Sequence, residues 1–159
     1  MAGEQFAPRE RVRRITLTFD RRIDLSQSHG DTEMHENEIG TTVVDCSVQL
    51  HQDLGPGLLE TVYEVTLARK LEKRGLIVQR QVPITIVYEG QEFEEGFRAD
   101  LIINGKVIVE LKSVEMIHPV HKKQLLTYLR LSGMKLGYLL NFGSPLMKDG
   151  ITRIIHGQL

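Results

Sequence analysis

Residues 77–112 carry three strand signals in succession, and the breaks between them are short. Ile77–Tyr88 is rich in β-branched residues and stops at Glu89-Gly90. A second run extends from about Glu92 to Ile103, and Asn104-Gly105 joins it to a third, Lys106–Lys112. Asn-Gly between alternating apolar runs is a strong local hairpin signal, so the segment is expected to fold as an antiparallel meander. Helical periodicity flanks it. Ile39, Val43, Cys46, Val48 and Leu50 mark an amphipathic helix over Glu36–Asp53. Gly55-Pro56-Gly57 breaks the chain before a second helix over about Leu58–Arg74, with Gly75 as its C′ glycine. After the meander, Pro119 opens a helix to about Leu131, Leu136–Phe142 reads as a buried strand, and Ile151–Ile155 as a short last one. The order α-α-β-β-β-α-β-β describes an α/β domain with a mixed central sheet, a meander and a crossover helix.

The chain of 159 residues is long enough for one domain with its own core. Its single cysteine, Cys46, has no partner for an internal disulfide or a thiolate metal site, which fits a reducing cytoplasm. Apolar runs fall far short of the ~20 residues a membrane span needs, and the arginine-bearing N-terminus has no apolar h-region. Residues 1–33 are rich in Arg, Asp, Ser and Gln, with one short strand signal at Ile15–Phe19. They read as a poorly ordered leader to a single domain over residues 34–159, with Met34 an expected native start. Between His121 and Leu159, Lys122, Lys123, Arg130, Lys135, Lys148 and Arg153 face Asp149 as the sole acid. Such a surplus attracts a polyanion, or simply solvates a helix face.

On the third strand, Val107, Val109 and Leu111 share one face, and Ile108, Glu110 and Lys112 share the other. The face taken by Asp100 depends on the turn. A two-residue Asn-Gly turn pairs Asp100 with Val109 and separates it from Glu110. A three-residue loop, Ile103-Asn104-Gly105, pairs Asp100 with Ile108 and keeps Asp100, Glu110 and Lys112 together. The second arrangement, or a bulge of the same parity, is expected. Two carboxylates and an ammonium on one sheet face need compensation. Mg²⁺ takes hard oxygen ligands of this kind, whereas an exposed edge with a Glu110–Lys112 ion pair is the plainer alternative. On the second helix Glu60 and Glu64 are four apart with Tyr63 between them, placed to reach a metal or to snorkel from an apolar stripe. On the later helix His121, Gln124 and Tyr128 share a face beside Leu125, suited to a nucleic-acid backbone or to ordinary helix-end bonding. His51 is a candidate ligand or base, or a structural histidine.

These residues resemble a known pattern. Gly57-Leu-Leu-Glu60-Thr-Val-Tyr63 matches the Gly-x-x-Glu-x-x-Tyr signature of the GxxExxY protein family, and the resemblance runs from about Met34 to Ile155. That family looks like a compact branch of the PD-(D/E)XK nuclease superfamily, which implies a restriction-endonuclease-like α/β core. Carried over, Asp100 is the motif Asp and Glu110-Leu111-Lys112 the Glu-x-Lys element. Glu60 is then the helical carboxylate, and Gln124 with Tyr128 resembles the Gln-x-x-x-Tyr motif of RecB-like exonucleases. Ala99 stands where the motif name has Pro, and the cysteine cluster of the iron–sulfur exonucleases is missing.

The resemblance implies a Mg²⁺- or Mn²⁺-dependent nuclease acting on nucleic acid, with DNA favoured. Asp100, Glu110, Glu60 and the Leu111 carbonyl would hold metal, and Lys112 would serve the attacking water. Gln124, Tyr128, His121, Lys122 and Lys123 would contact substrate. A noncatalytic nucleic-acid-binding or interaction module on the same fold, and a hydrolase of small phosphates, remain the alternatives. A homodimer or larger complex stays open.

Overall fold

The computed structural model describes residues 33–159; the expected leader, apart from Glu33, and the strand signal at residues 15–19 lie outside the described residues. The elements are α1 (Glu36–Leu54), α2 (Glu60–Glu72), β1 (Val78–Tyr88), β2 (Gln91–Ile103), β3 (Val107–Lys112), α3 (Pro119–Ser132), β4 (Leu136–Asn141), the one-turn α4 (Met147–Gly150) and β5 (Ile151–Ile155). Only α4 adds to the expected order. Its turn occupies the link between the last two strands, which pair antiparallel.

The five strands lie in chain order, β1 to β5, and every neighbouring pair is antiparallel except β3–β4. That parallel pair is joined through α3, the crossover that parallel strands require. β3 and β4 are buried on both faces apart from the half-exposed Lys112. Helices α1 and α2 cover one face: Ile39, Val43, Cys46 and Leu50 of α1 and Tyr63, Leu67 and Leu71 of α2 meet Val107, Val109, Leu111, Leu136, Tyr138 and Leu140. The other face packs Ile108 and Leu139 against Leu125 and Leu129 of α3. The result is helices, sheet, helix in three layers.

Two glycines allow close approaches between helix and sheet. A Cβ at Gly40 would lie 2.3 Å from the Tyr138 hydroxyl, and one at Gly137 would lie 3.0 Å from Leu125. Gly40 stands inside α1, where alanine would ordinarily be favoured by about 1 kcal/mol. The space for Tyr138 overrides helix propensity.

The two turns of the meander differ. Glu89 and Gly90 both adopt positive φ, 50° and 79°, and Tyr88 pairs with Gln91 across a two-residue turn of the kind that matches strand twist. The β2–β3 loop is one residue longer, and it is Asn104-Gly105-Lys106 rather than the expected Ile103-Asn104-Gly105. Asn104 and Gly105 take φ values of 49° and 65°, and the Lys106 N–H closes on the Ile103 carbonyl at 2.9 Å. Lys106 closes the loop, and its ammonium reaches the Met34 carbonyl at 2.9 Å and Glu33 at 2.8 Å. Ile103 then pairs with Val107 and Leu101 with Val109. Continuing that register brings Asp100 opposite Glu110, not Ile108. Parity is as expected, while the partner is shifted by two.

A second irregularity reorients the outer meander. Val78, Leu101 and Ile103 pack in the core under α1 and α2, whereas Val82, Ile84, Phe97 and Ala99 pack in the core under α3. Residues two apart on a strand share a face, so both strands turn over between these groups. The turnover falls at Gln81 and Asp100, which are skipped between the pairs Arg80–Leu101 and Val82–Ala99. Gln81 has a φ of 51°, a left-handed value unusual for a residue with a side chain.

Gly40→Ala is expected to lower stability by about 1–3 kcal/mol through overpacking against Tyr138, despite the better helix former. Urea unfolding checks this, and an unchanged or raised midpoint would show that Tyr138 yields freely.

Candidate active site

The β2–β3 ladder stops at the Leu101–Val109 pair, and beyond it side chains take over its hydrogen bonds. The Asp100 N–H donates to Oε1 of Glu110 at 3.3 Å, and the Leu111 N–H donates to Oδ2 of Asp100 at 2.9 Å. The Asp100 carboxylate thus takes the place of a β2 carbonyl for the Leu111 N–H, and Glu110 satisfies the Asp100 N–H. The N–H and C=O of one strand residue point to the same side, so the Leu111 carbonyl also faces this opening.

Glu110 is buried, with 9% of its surface exposed, and Asp100 is half-buried. Burial pushes the Glu110 carboxyl up to about 8, and the Asp100 charge adds to that; the Asp100 N–H and the Lys112 charge pull more weakly the other way. Lys112 follows on the same face, half-buried. Among the described residues the ion pairs are Lys70–Asp53, Arg80–Glu64, Arg98–Glu95 and Lys106–Glu33, so Lys112 does not form the surface pair with Glu110 considered as the alternative.

From the α3 side, Tyr128 stacks on Phe97 with ring centroids 3.8 Å apart and planes 8° from parallel. Gln124, one turn earlier, donates from Nε2 to the Tyr128 hydroxyl at 2.6 Å. Burial holds the phenol above its ordinary value, and the Glu110 charge adds to the shift. The Gln-x-x-x-Tyr spacing therefore gives a bonded pair beside the carboxylates. His121 accepts the His118 N–H on Nδ1 at 3.3 Å and caps α3. Lys122 and Lys123 are exposed, and at 3.6 residues per turn they point away from the Gln124–Tyr128 side.

The Gly57–Tyr63 segment locks the start of α2 onto the end of β3. Gly57 adopts a φ of 99°, which its missing Cβ permits. Tyr63 is fully buried and stacks on Phe142 at 4.4 Å; its hydroxyl donates to the Gly55 carbonyl at 2.6 Å and accepts the Leu58 N–H at 3.1 Å. Ser113 completes the lock. Its hydroxyl donates to the Leu58 carbonyl at 2.6 Å, and its N–H donates to Oε1 of Glu60 at 3.2 Å. Glu60 is thus directed to the residue after Lys112, whereas Asp100 and Glu110 bond each other's strands. Among the described residues, no three His, Cys, Asp or Glu side chains are grouped to hold a metal ion. His51 is buried with Nε2 2.8 Å from the Ser144 carbonyl. A carbonyl only accepts, so Nε2 carries the proton, and the ring ties α1 to the β4–α4 link.

Sequence reasoning passed over a second layer behind Asp100. Oε1 of Glu64 accepts from Arg80 at 2.9 Å, Oε2 from Gln81 Nε2 at 2.8 Å, and that same nitrogen is 3.2 Å from Oδ1 of Asp100. The available signal was Glu64 itself, a carboxylate one turn after Glu60 on the stripe that enters the core.

A sequence model described as the PD-(D/E)XK nuclease superfamily matches residues 37–154. The chain belongs to the PD-(D/E)XK nuclease superfamily. Its mixed five-stranded sheet flanked by helices is the restriction-endonuclease-like α/β fold of that superfamily. No curated protein and no solved structure gives a significant match. Superfamily membership supports a nuclease-type function, with nucleic acid as substrate and Mg²⁺ or a similar divalent metal as the general cofactor. Among the described residues, no helix is long and apolar enough to cross a membrane.

The donor chemistry of Asp100 and Glu110 suits Mg²⁺, which is usually held by one or two carboxylates with water filling the remaining positions. Without metal, Glu110 keeps its proton in the folded protein at a pH where the unfolded chain has lost it. Folding is therefore favoured most below the ordinary glutamate value of 4.5, and that advantage is lost as pH rises through about 8. Removing the ionisable group should remove this slope. The unfolding midpoint of Glu110→Gln, measured without metal, is expected to gain on the parent protein between pH 5 and 8 by a few degrees. A difference that stays flat with pH would contradict the burial of a protonated Glu110.

Proposed function

We propose that this superfamily member is a Mg²⁺- or Mn²⁺-dependent nuclease of the GxxExxY type that hydrolyses phosphodiester bonds, with DNA favoured over RNA. The observation that carries the reading is the facing pair Asp100 and Glu110 where the β2–β3 ladder ends, with Lys112 next on the same face and Tyr128 beside it.

In this reading Asp100 and Glu110 hold the metal, with the Leu111 carbonyl directed to the same opening and Glu60 contributing from the start of α2. The metal supplies Lewis acidity toward the phosphate and a lowered pKa for bound water. Lys112 orients the attacking water and offsets charge that develops on the phosphate. Tyr128, fixed by Phe97 and Gln124, bounds the α3 side of the site and presents a hydroxyl to substrate. His121, Lys122 and Lys123 meet the backbone farther along α3, where lysine contacts add affinity without sequence selectivity. Two bare carboxylates would repel a phosphodiester, so the ionised site is useful only with its cation.

The test is a panel of single- and double-stranded DNA and RNA, each incubated with Mg²⁺ or Mn²⁺. Lys112→Ala is expected to lose cleavage by about 100-fold or more, in line with removing one group that stabilises transition-state charge, while metal still raises its unfolding midpoint. Glu110→Ala is expected to lose both the cleavage and the metal-dependent rise. A parent protein stabilised by metal that cuts none of the substrates would favour a noncatalytic binding module instead.

A further inference from the structure

The carboxylate pair accounts for neither the left-handed Gln81 nor the buried Glu64. Gln81 lies where β1 and β2 turn over, and its φ of 51° has a steric cost for a residue with a Cβ. Such outliers persist when their surroundings over-determine them, and they gather at functional sites. Here the restraints are explicit. Arg98 donates to the Gln81 carbonyl at 3.0 Å, and Arg98 is itself paired with Glu95. The side-chain amide is flanked by two carboxylates, Glu64 Oε2 at 2.8 Å and Asp100 Oδ1 at 3.2 Å. Carboxylate oxygens only accept in their ionised form, so both require the NH₂ end of the amide, and its orientation follows from its neighbours.

We infer that Gln81 is a positioning residue for Asp100, and that Glu64 with Arg80 is its anchor. Glu64 is almost fully buried, and Arg80 and the Gln81 amide occupy its two oxygens. With Glu64 fixed to α2, the second amide hydrogen of Gln81 lies against Oδ1 of Asp100, while the Leu111 N–H holds Oδ2. The two donors come from strands on either side of β2, so they set both the side-chain rotamer and the plane of the carboxylate. The remaining lone pairs then face the opening shared with Glu110. A regular β1 strand would give the side chain at position 81 a different direction, and the turnover is what places the amide between Glu64 and Asp100.

This inference rests on the metal-site reading above, and titration calorimetry on metal-stripped protein can separate the two. Gln81→Gly accepts the positive φ while removing the amide, and Gln81→Glu keeps the shape while replacing the donor with a third acid. Both are expected to weaken Mg²⁺ binding by about 10–100-fold, the usual effect of losing a group that orients a ligand. Ca²⁺ tolerates irregular coordination and Mg²⁺ does not, so Gln81→Gly should weaken Ca²⁺ binding less and lower the Mg²⁺/Ca²⁺ affinity ratio. A residue that merely stitches β1 to α2 would alter the unfolding midpoint and leave that ratio alone. Parent-like Mg²⁺ affinity in both variants, or an unchanged ratio in Gln81→Gly, overturns the role of Gln81 while leaving the carboxylate pair as the metal site. A parent protein that binds neither ion overturns both.

Discussion

The structure depends on one exchange of hydrogen bonds, in which the side chains of Asp100 and Glu110 replace the backbone ladder where β2 and β3 part. In an ordinary antiparallel pair of this register, the Leu111 N–H would meet a β2 carbonyl across the gap, and the Asp100 N–H, one residue out of phase, would point toward β1. Here they meet Glu110 and Asp100 carboxylates instead. The strands can separate without leaving these donors unpaired, which is the usual penalty for opening a sheet near its centre. The same exchange fixes two acidic groups face to face in a partly buried place. Burial first, and the Asp100 charge second, push the Glu110 carboxyl well above its ordinary range. The bonds that bridge the parted strands and the crowding of the two carboxylates therefore have a single origin.

The surrounding helices meet this opening through different physical means. α2 is fastened from below by the Tyr63 hydroxyl, the left-handed Gly57 and the two bonds to Ser113, a set of short polar contacts around a stacked Tyr63–Phe142 pair. In that light the Gly-x-x-Glu-x-x-Tyr spacing is first a folding device, with glycine and tyrosine shaping the loop that aims the intervening glutamate at the end of β3. α3 approaches through an aromatic stack, and Tyr128 rests on Phe97. That contact exists only because β1 and β2 turn over at Gln81 and Asp100, moving Phe97 from the face under α1 and α2 to the face under α3. The irregular pair in the meander thus carries Asp100 and also positions the tyrosine's platform.

Much of this was legible in the sequence, for reasons that differ from element to element. The alternation Val107-Ile-Val-Glu-Leu-Lys112 gives the faces of β3 directly, because period two is a property of any strand. Gln124 and Tyr128 could be paired from spacing alone, since residues four apart on a helix are neighbours. The β2–β3 loop could be read for parity and for its three-residue length but not for its position. It lies one residue later than expected, and Lys106 at its end contacts residues 33 and 34, far away in the chain. The turnover at Gln81 had no local signal, because glutamine is not a residue that favours positive φ and nothing nearby resembles a bulge glycine. Its cause is tertiary: two acids and an arginine that meet only in the fold. The place of Glu60 on α2 suggests a member of the acidic set, yet its visible partner is the Ser113 N–H, a contact dependent on where β3 ends.

Charge explains why the site would need more than its acids. The chain is close to neutral overall, so the general field of the protein offers a polyanion little attraction. The carboxylates at the opening would repel it outright. Attraction must then be local, and the residues that can supply it are arranged at different depths. Lys112 lies half-buried at the opening, where desolvation strengthens each interaction and geometry is fixed by β3. Lys122 and Lys123 stand in solvent on other faces of α3, where salt screens them and their reach is long. Such a division would assign capture to the outer lysines and charge stabilisation to the inner one. Substrate discrimination would then fall to shape, through the Tyr128 ring and the separation of β2 from β3, because neither set of cations reads a base.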